Sequence, residues 1–358
     1  MSVKVAFIGT SWASRVQIPA FQTVGFEVVG VAGTDSANTA RVAKKHDVAF
    51  HTTDWRDLLD LPCQLLVVSS PPAYHKEQSI ATLTAGKHLL CEKPLALHQG
   101  EAQEMVAAAA ANPEQLSLVD HELRFTPARL KAKELLAKGV LGDILIITAR
   151  VATNFRIDPT VPWSWWSDAS QGGGILAALG SHVVDGVRWL LSGLGLGDLK
   201  VCGSVLGRTY DEREAPGGTV FPVTADDIAS VTFRCGRAVG TMLVHGASLD
   251  DPIDLLTIRG TEGTLVIDRS LKLYYGKRDG VLKEYLTPLP TFVPNRFRAS
   301  GFAAGTVLLA KAIKGYLEDG NAAALTPAAS LADGLAVQII LDEIRRQAAD
   351  DVTPQTPR

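Results

Sequence analysis

Cysteine is scarce: four residues in 358, at Cys63, Cys91, Cys202 and Cys235. None forms a CxxC pair and the density is far below that of a disulfide-stapled domain, so they read as reduced thiols and point to the cytoplasm. Charge of one sign is also lacking. Lys and Arg number 35 against 38 Asp and Glu, a net charge of −3 that offers no long-range field to a polyanion and argues against nucleic acid as a partner. No apolar run approaches the roughly 18 residues that a bilayer crossing needs, which argues against a membrane protein. No basic, apolar or twin-arginine leader precedes the first strand-like run at Val3, so the chain is expected to stay where it is made. The eight histidines include no HxxxH zinc pair and no GxSxG elbow occurs, so neither a metal nor a serine nucleophile is expected. What the chain has in quantity is apolar. Hydrophobic residues are 46% and charged residues 20%, the balance of a globular chain, and its length suits two domains because one core seldom exceeds roughly 250–300 residues.

The first 120 residues alternate short apolar runs with amphipathic stretches. Val3–Ile8, Val28–Ala32, Leu65–Ser69, His88–Cys91 and Leu116–Val119 read as buried strands, and Ala37–His46, Ala73–Ala85 and Gln99–Ala111 as helices between them. Such alternation predicts a doubly wound parallel sheet covered on both faces. Past Glu122 the pattern changes. Residues Gly142–Thr153 and most of Leu199–Leu286 predict longer strands joined by tight turns, an antiparallel sheet interrupted by a helix at about Gly174–Leu191 and closed by helices at about Arg298–Leu317 and Pro327–Ala348. The expectation is therefore an α/β protein, with an N-terminal domain over residues 1–122 and a C-terminal α+β domain with a large open sheet over 123–358. Asp211–Thr219 reads as a mobile loop and Asp350–Arg358 as a fraying tail.

After the first strand comes Gly9-Thr10-Ser11-Trp12-Ala13-Ser14. In a dinucleotide fingerprint the first glycine permits the tight turn, and Gly9 stands there, but Ser11 and Ser14 occupy the second and third glycine positions. Small residues still let a backbone approach a pyrophosphate, and the N–H groups of the next helix supply donors. At the end of the second strand, where an acid would bind ribose hydroxyls, the sequence has Gly33-Thr34. Asp35 lies beyond and reads as the cap of the next helix. With no carboxylate to repel a 2′-phosphate, the reading is NAD(P) with a lean to NADP.

The strand His88–Cys91 runs into Glu92-Lys93-Pro94, and in an open parallel sheet ligands bind beyond the carboxyl ends of the strands. At this point the sequence resembles the Gfo/Idh/MocA oxidoreductases, the sugar- and inositol-dehydrogenase-like family. The resemblance is carried by Ile8-Gly9-Thr10, Ser70-Pro71-Pro72 with His75, Ala85-Gly86-Lys87-His88, Cys91-Glu92-Lys93-Pro94, Arg124-Phe125 with Pro127, Gly172-Gly173-Gly174, and Gly180-Ser181-His182 with Asp185. It implies a Rossmann domain, a second domain whose open sheet makes a homodimer or homotetramer, and hydride exchange between a nicotinamide and a sugar or polyol. It also implies that Ser70, Pro71, His75, Glu92 and Lys93 join Gly9, Thr10, Ser11, Trp12, Ala13, Gly33 and Thr34 around the cofactor.

Oxidising a secondary alcohol needs a base for the hydroxyl proton while the hydride leaves. Lys93 and His182 fit that need. Family members commonly carry an aspartate four residues before this histidine, and here that position is Ala178. Asp185 reads first as structural. With Arg124, Arg156 and the aromatic segment Trp163, Trp165 and Trp166, it is also a candidate for substrate contact, since sugars present C–H faces to aromatic rings. Two other readings stand beside the dehydrogenase: a nucleotide-sensing binding protein without turnover, favoured by Ala178, and a glycosidase that keeps NAD bound and cycles hydride internally.

Overall fold

The computed structural model describes residues 2–250 and 252–350. The chain forms two compact units, one holding the chain through Thr126 together with Leu289–Leu335, the other Pro127–Pro288 with the chain from Ala336 onward. The expected second domain of 123–358 is thus corrected: Leu289–Leu335 returns to the first unit. The reason is the apolar face of the helix Gly301–Asp319, whose Leu309, Ala310 and Ile313 share a core with Val5, Phe7 and Phe21.

In the first unit β1 (Lys4–Ile8), β2 (Glu27–Ala32), β3 (Phe50–Thr52), β4 (Leu65–Val68), β5 (His88–Cys91) and β6 (Ser117–Val119) form a parallel sheet in the order β6-β5-β4-β1-β2-β3, and Ala329–Ser330 adds an antiparallel edge to β6. Successive side chains of a strand point to opposite faces. Val5 and Phe7 accordingly enter one core with Leu65, Val67 and Leu90, while Ala6 and Ile8 enter another with Leu66, Val68 and Leu89. This two-faced burial is what the unbroken apolar runs encode. The chain order reverses between β1 and β4, and at such a switch point a ligand crevice opens beyond the carboxyl ends. Sequence reading missed β3 and the Ala329–Ser330 edge, which are too short to carry a pattern.

The second unit contains β7 (Ile144–Ala152), β8 (Leu199–Gly207), the hairpin β9 (Glu212–Glu214) and β10 (Val220–Pro222), and β11 (Ile228–Cys235), β12 (Ala238–His245), β13 (Ile253–Gly260), β14 (Gly263–Asp268), β15 (Leu273–Lys277) and β16 (Lys283–Tyr285). Eight of them form one sheet in the order β16-β15-β14-β13-β7-β12-β11-β8. The pairing is antiparallel except between β7 and β12, which run parallel, so the expected antiparallel sheet is mixed at that one junction. The segment Asp211–Thr219, expected as a mobile loop, is pinned by the β9–β10 ladder. The expected fraying tail falls, past Asp350, outside the described residues. Ala229, Val231 and Phe233 face the core while Ser230, Thr232 and Arg234 are exposed, the alternation of a sheet covered on one side. On the uncovered face Ile146 and Val239 are each 48% exposed and Val205 62%. Among the described residues one segment, Ala169–Leu191, is apolar and long enough to cross a membrane by composition, but 78% of its apolar 18-residue stretch is buried in the protein, the character of a core helix.

Candidate active site

The turn after β1 is built for backbone approach. Gly9 has φ of 127° and donates its N–H to the Ala32 carbonyl at 2.8 Å. A Cβ at Gly9 would overlap the Ser69 carbonyl at the end of β4, so only glycine passes here. The helix that follows opens with a wide π-type turn over Ala13–Gln17, a local distortion frequent at functional sites, and its first N–H groups precede any intrahelical acceptor. Ser11 and Thr34 are exposed and Thr10 partly so, beyond the ends of β1 and β2. The sequence-derived loop Gly9, Thr10, Ser11, Trp12 and Ala13 and the turn Gly33-Thr34 therefore lie at one sheet edge. A glycine turn with accessible hydroxyls and helix N–H groups fits a dinucleotide pyrophosphate. Asp35 caps the next helix through the Asn38 N–H at 2.6 Å, as its position suggests, and Asn38 reaches back to Thr10 Oγ1 at 2.9 Å.

Lys93 leaves the carboxyl end of β5 in a partly buried turn, and the Lys93–Pro94 peptide is cis. His75 corrects its expectation as a cofactor contact. Its ring is fully buried and spans the carbonyl oxygens of Ser70 at 2.9 Å and Pro94 at 3.0 Å, so it ties the turn after β4 to the turn after β5. Ser70 itself donates to Gln78 Oε1 at 2.6 Å. Ser70, Pro71 and Glu92 remain partly accessible.

Beside Lys93, Glu92 joins two acids, Asp120 and Glu122, that sequence reading did not single out as site residues. Gln17 Nε2 donates to Glu92 Oε1 and to Asp120 Oδ2, both at 2.8 Å, and Glu92 Oε2 accepts the Lys93 N–H at 3.1 Å. Asp120 and Glu122 are buried at the end of β6. Desolvation first, then the charges of Asp120 and Glu92, hold the Glu122 carboxyl well above the usual carboxylate range, against the opposing pull of Lys93. The only available signal was position, two acids at the carboxyl end of the last parallel strand.

A raised carboxyl pKa gives stability that is present below its unfolded value, near 4.3, and is lost as pH rises through the folded value. Glu122→Gln removes that loss. Thermal melts from pH 4 to 8 should show the variant gaining on the wild type as pH rises, by several degrees at the upper end. A melting difference independent of pH would contradict the ionisation reading.

Arg124 is corrected as a substrate contact in this unit. It is buried and pairs with Asp333 at 3.4 Å, next to the Ala328 carbonyl at 3.5 Å.

In the second unit His182 and Asp185 lie on the helix Ser181–Leu191, both buried. This helix too is entered through a π-type turn, Leu176–Gly180, which contains the buried Ala178. Arg156 is also corrected: its guanidinium is buried, paired with Asp227 at 2.7 Å and bonded to Ser167 Oγ at 3.0 Å, so it holds the loop together. The tryptophans follow from that anchor. Trp163 donates its indole N–H to the Pro222 carbonyl at 3.0 Å and its ring lies 5.0 Å from Phe221, while Trp166 packs edge-on to Phe155 at 5.3 Å and against Trp165 at 5.6 Å. All three are partly exposed, as a lining role requires.

The strand order, the glycine turn and the lysine at the β5 end define a dinucleotide-binding oxidoreductase fold. Residues 3–120 match the family described as Oxidoreductase family, NAD-binding Rossmann fold, and residues 130–266 match the GFO/IDH/MocA C-terminal domain. The chain belongs to the GFO/IDH/MocA oxidoreductase family. It is 29% identical to an uncharacterized oxidoreductase of Synechocystis over 95% of this chain and 92% of that one, and 26% identical to a levoglucosan dehydrogenase of Pseudarthrobacter phenanthrenivorans over 92% and 89%. Among solved structures, a levoglucosan dehydrogenase in complex with NADH and levoglucosan superposes with a TM-score of 0.83 at 25% identity, covering 98% of each chain.

Proposed function

We propose that the protein is an NAD(H)-dependent dehydrogenase or reductase acting on a CH–OH group of a sugar-like or cyclic polyol substrate. The observation that carries the reading is Lys93, set at the carboxyl end of β5 beside the crevice edge of an NAD-binding sheet. The bound nicotinamide would accept or return the hydride. Lys93 moves the hydroxyl proton, and His182 assists it, the roles that the family resemblance gives these residues. Similarity to levoglucosan dehydrogenase supports the carbohydrate class. Mass spectrometry of the protein as purified, then a panel of sugars and cyclic polyols with NAD and NADP followed at nicotinamide absorbance, tests the reading. Activity with none of them, on protein that binds the cofactor, would favour the sensor reading that Ala178 suggests. A tightly bound NAD with glycoside cleavage would favour the internal-cycling one.

NAD(H) is proposed as the working cofactor. The lean to NADP drawn from Gly33-Thr34 finds no support in the comparisons, where the bound cofactor is NADH. The absence of a ribose acid at Thr34 nevertheless leaves room for a 2′-phosphate. Calorimetry with NADH and NADPH is expected to show both binding, NADH at least as tightly; a clear preference for NADPH would restore the original lean.

The uncovered sheet face with Ile146, Val205 and Val239 is proposed to pair with a second copy in an isologous dimer. Light scattering at micromolar concentration should give at least twice the chain mass of 38.1 kDa. A monomer would remove the proposal.

A further inference from the structure

We propose that Asp226 is a positioning residue for His182: its side chain and its backbone carbonyl together seat the first turn of the helix that carries that imidazole. The proposal rests on His182 as the assisting group in proton transfer. Two bonds make the seat. Asp226 Oδ2 accepts the Leu176 N–H and the Asp226 carbonyl accepts the Ile175 N–H, both at 2.7 Å. The opening N–H groups of a helix have no acceptor within it, and Ile175, which enters the wide turn Leu176–Gly180, is apolar and caps nothing with its side chain. Ile175 and Leu176 are wholly buried, so their N–H groups need acceptors from the protein itself.

The surroundings are shaped to admit this acid. Gly174 has φ of 103°, and a Cβ there would come within 2.5 Å of Asp226 Oδ1, so only glycine leaves room for the carboxyl group before the helix. Gly173 clears the Trp165 and Trp166 carbonyls in the same way. On the other side Thr224 and Ala225 donate their N–H groups to the Ser167 carbonyl at 2.9 and 3.2 Å, and Asp227 is the partner of Arg156. The two adjacent aspartates therefore serve different elements, one the His182 helix and one the loop of the tryptophans. Burial raises the Asp226 carboxyl, while the Leu176 N–H and Arg345 oppose that rise. The seat is indifferent to this balance, because a carboxyl oxygen accepts a hydrogen bond in either form.

What the seat controls is the rotation of the helix. The wide turn follows it at once, and His182 lies six residues past Leu176, about 9 Å along the axis. Freeing the Leu176 N–H loosens the first turn and with it the angle at which the imidazole is presented. Reacting groups tolerate little of this, since a misplacement of about 1 Å can cost about 10²-fold in rate.

Hydrogen exchange followed by NMR on the deuterated protein tests the seat. In the wild type the Leu176 amide should exchange slowly; free exchange there overturns the proposal whether or not any variant folds. Asp226→Ala should speed exchange across residues 175–182 by about tenfold or more and displace the His182 ring resonances, assigned with His182→Asn. Asp226→Asn, whose amide oxygen accepts the same N–H, should recover most of both effects. Ring resonances unmoved in Asp226→Ala, or exchange accelerated uniformly through both sheets, would show a merely structural residue and overturn the positioning role. An asparagine variant as perturbed as the alanine one overturns the acceptor role. On a turnover substrate the losses from Asp226→Ala and His182→Asn should not multiply, because the first acts through the second, and full multiplication overturns the proposal. Exchange and ring resonances need no turnover, so they can succeed in a protein that oxidises no sugar and fail in a working dehydrogenase.

Discussion

Lys93→Met is expected to lower turnover on a sugar or polyol substrate by roughly 10²–10⁴-fold, the usual range for a positioned proton-transfer group. Methionine keeps the length and apolar stem of lysine while removing the exchangeable proton, so the Glu92-Lys93-Pro94 turn should persist. His75 holds that turn through the Pro94 carbonyl and Glu92 through the residue 93 N–H, contacts independent of the lysine head group. Cofactor affinity should accordingly stay within a few-fold by calorimetry. The loss should fall on kcat and kcat/KM together, because the proton is in flight only in the transition state. His182→Asn should cost less, as an assisting group. Full activity in Lys93→Met would refute the mechanism while leaving fold and cofactor untouched.

Arg156→Met is expected to cost about 3–5 kcal/mol, since it leaves a buried carboxylate without its partner. Arg156 and Asp227 are both almost wholly buried, 2.7 Å apart, and the second Asp227 oxygen accepts the Thr209 N–H at 3.0 Å. The other cation that acts on that acid is Arg213, which is itself engaged by backbone carbonyls. The loss should spread, because the Arg156 backbone carbonyl accepts from Arg213 at 2.6 Å and Arg213 in turn holds the carbonyls of Asp158 and Val161. The tryptophan segment hangs from the same loop. Denaturant unfolding measures the effect, and pairing the change with Asp227→Leu should recover much of the stability, because replacing a whole buried ion pair by apolar groups is often near neutral. A cost below 1 kcal/mol for Arg156→Met would show that the pair is not desolvated as described.

The parallel sheet was legible because each strand is buried on both faces and so writes an unbroken apolar run between helices of clear period. Val5 and Ala6 need not be told apart for that, although they belong to different cores. The lysine turn was legible through its place after β5. The arginines were not. Arg124 and Arg156 read in the sequence as candidate substrate contacts, and only the tertiary fold reveals Asp333 and Asp227 as their partners, the latter 71 positions away in the chain. His75 misled for the same reason, since a ring nitrogen that binds a ligand and one that binds a carbonyl leave the same letter. The acids Asp120 and Glu122 offered only their position after the last parallel strand, because a buried carboxyl is recognisable by what surrounds it. The domain boundary failed at Leu289, where an amphipathic helix of ordinary period returned to the unit formed much earlier.

That return gives the protein an order of manufacture. The first unit lacks Leu309, Ala310 and Ile313 of its core and the Ala329–Ser330 edge beside β6 until the ribosome has passed residue 335. Between Thr126 and Leu335 lie about 200 residues, roughly 10–40 s of synthesis at ordinary elongation rates. Through that interval the nascent N-terminal segment carries an uncovered apolar face and an open β6 edge, the kind of surface that templates misassembly. A fragment ending at Thr126 would be held permanently in that condition, so the unit that binds the dinucleotide is not separable by simple truncation.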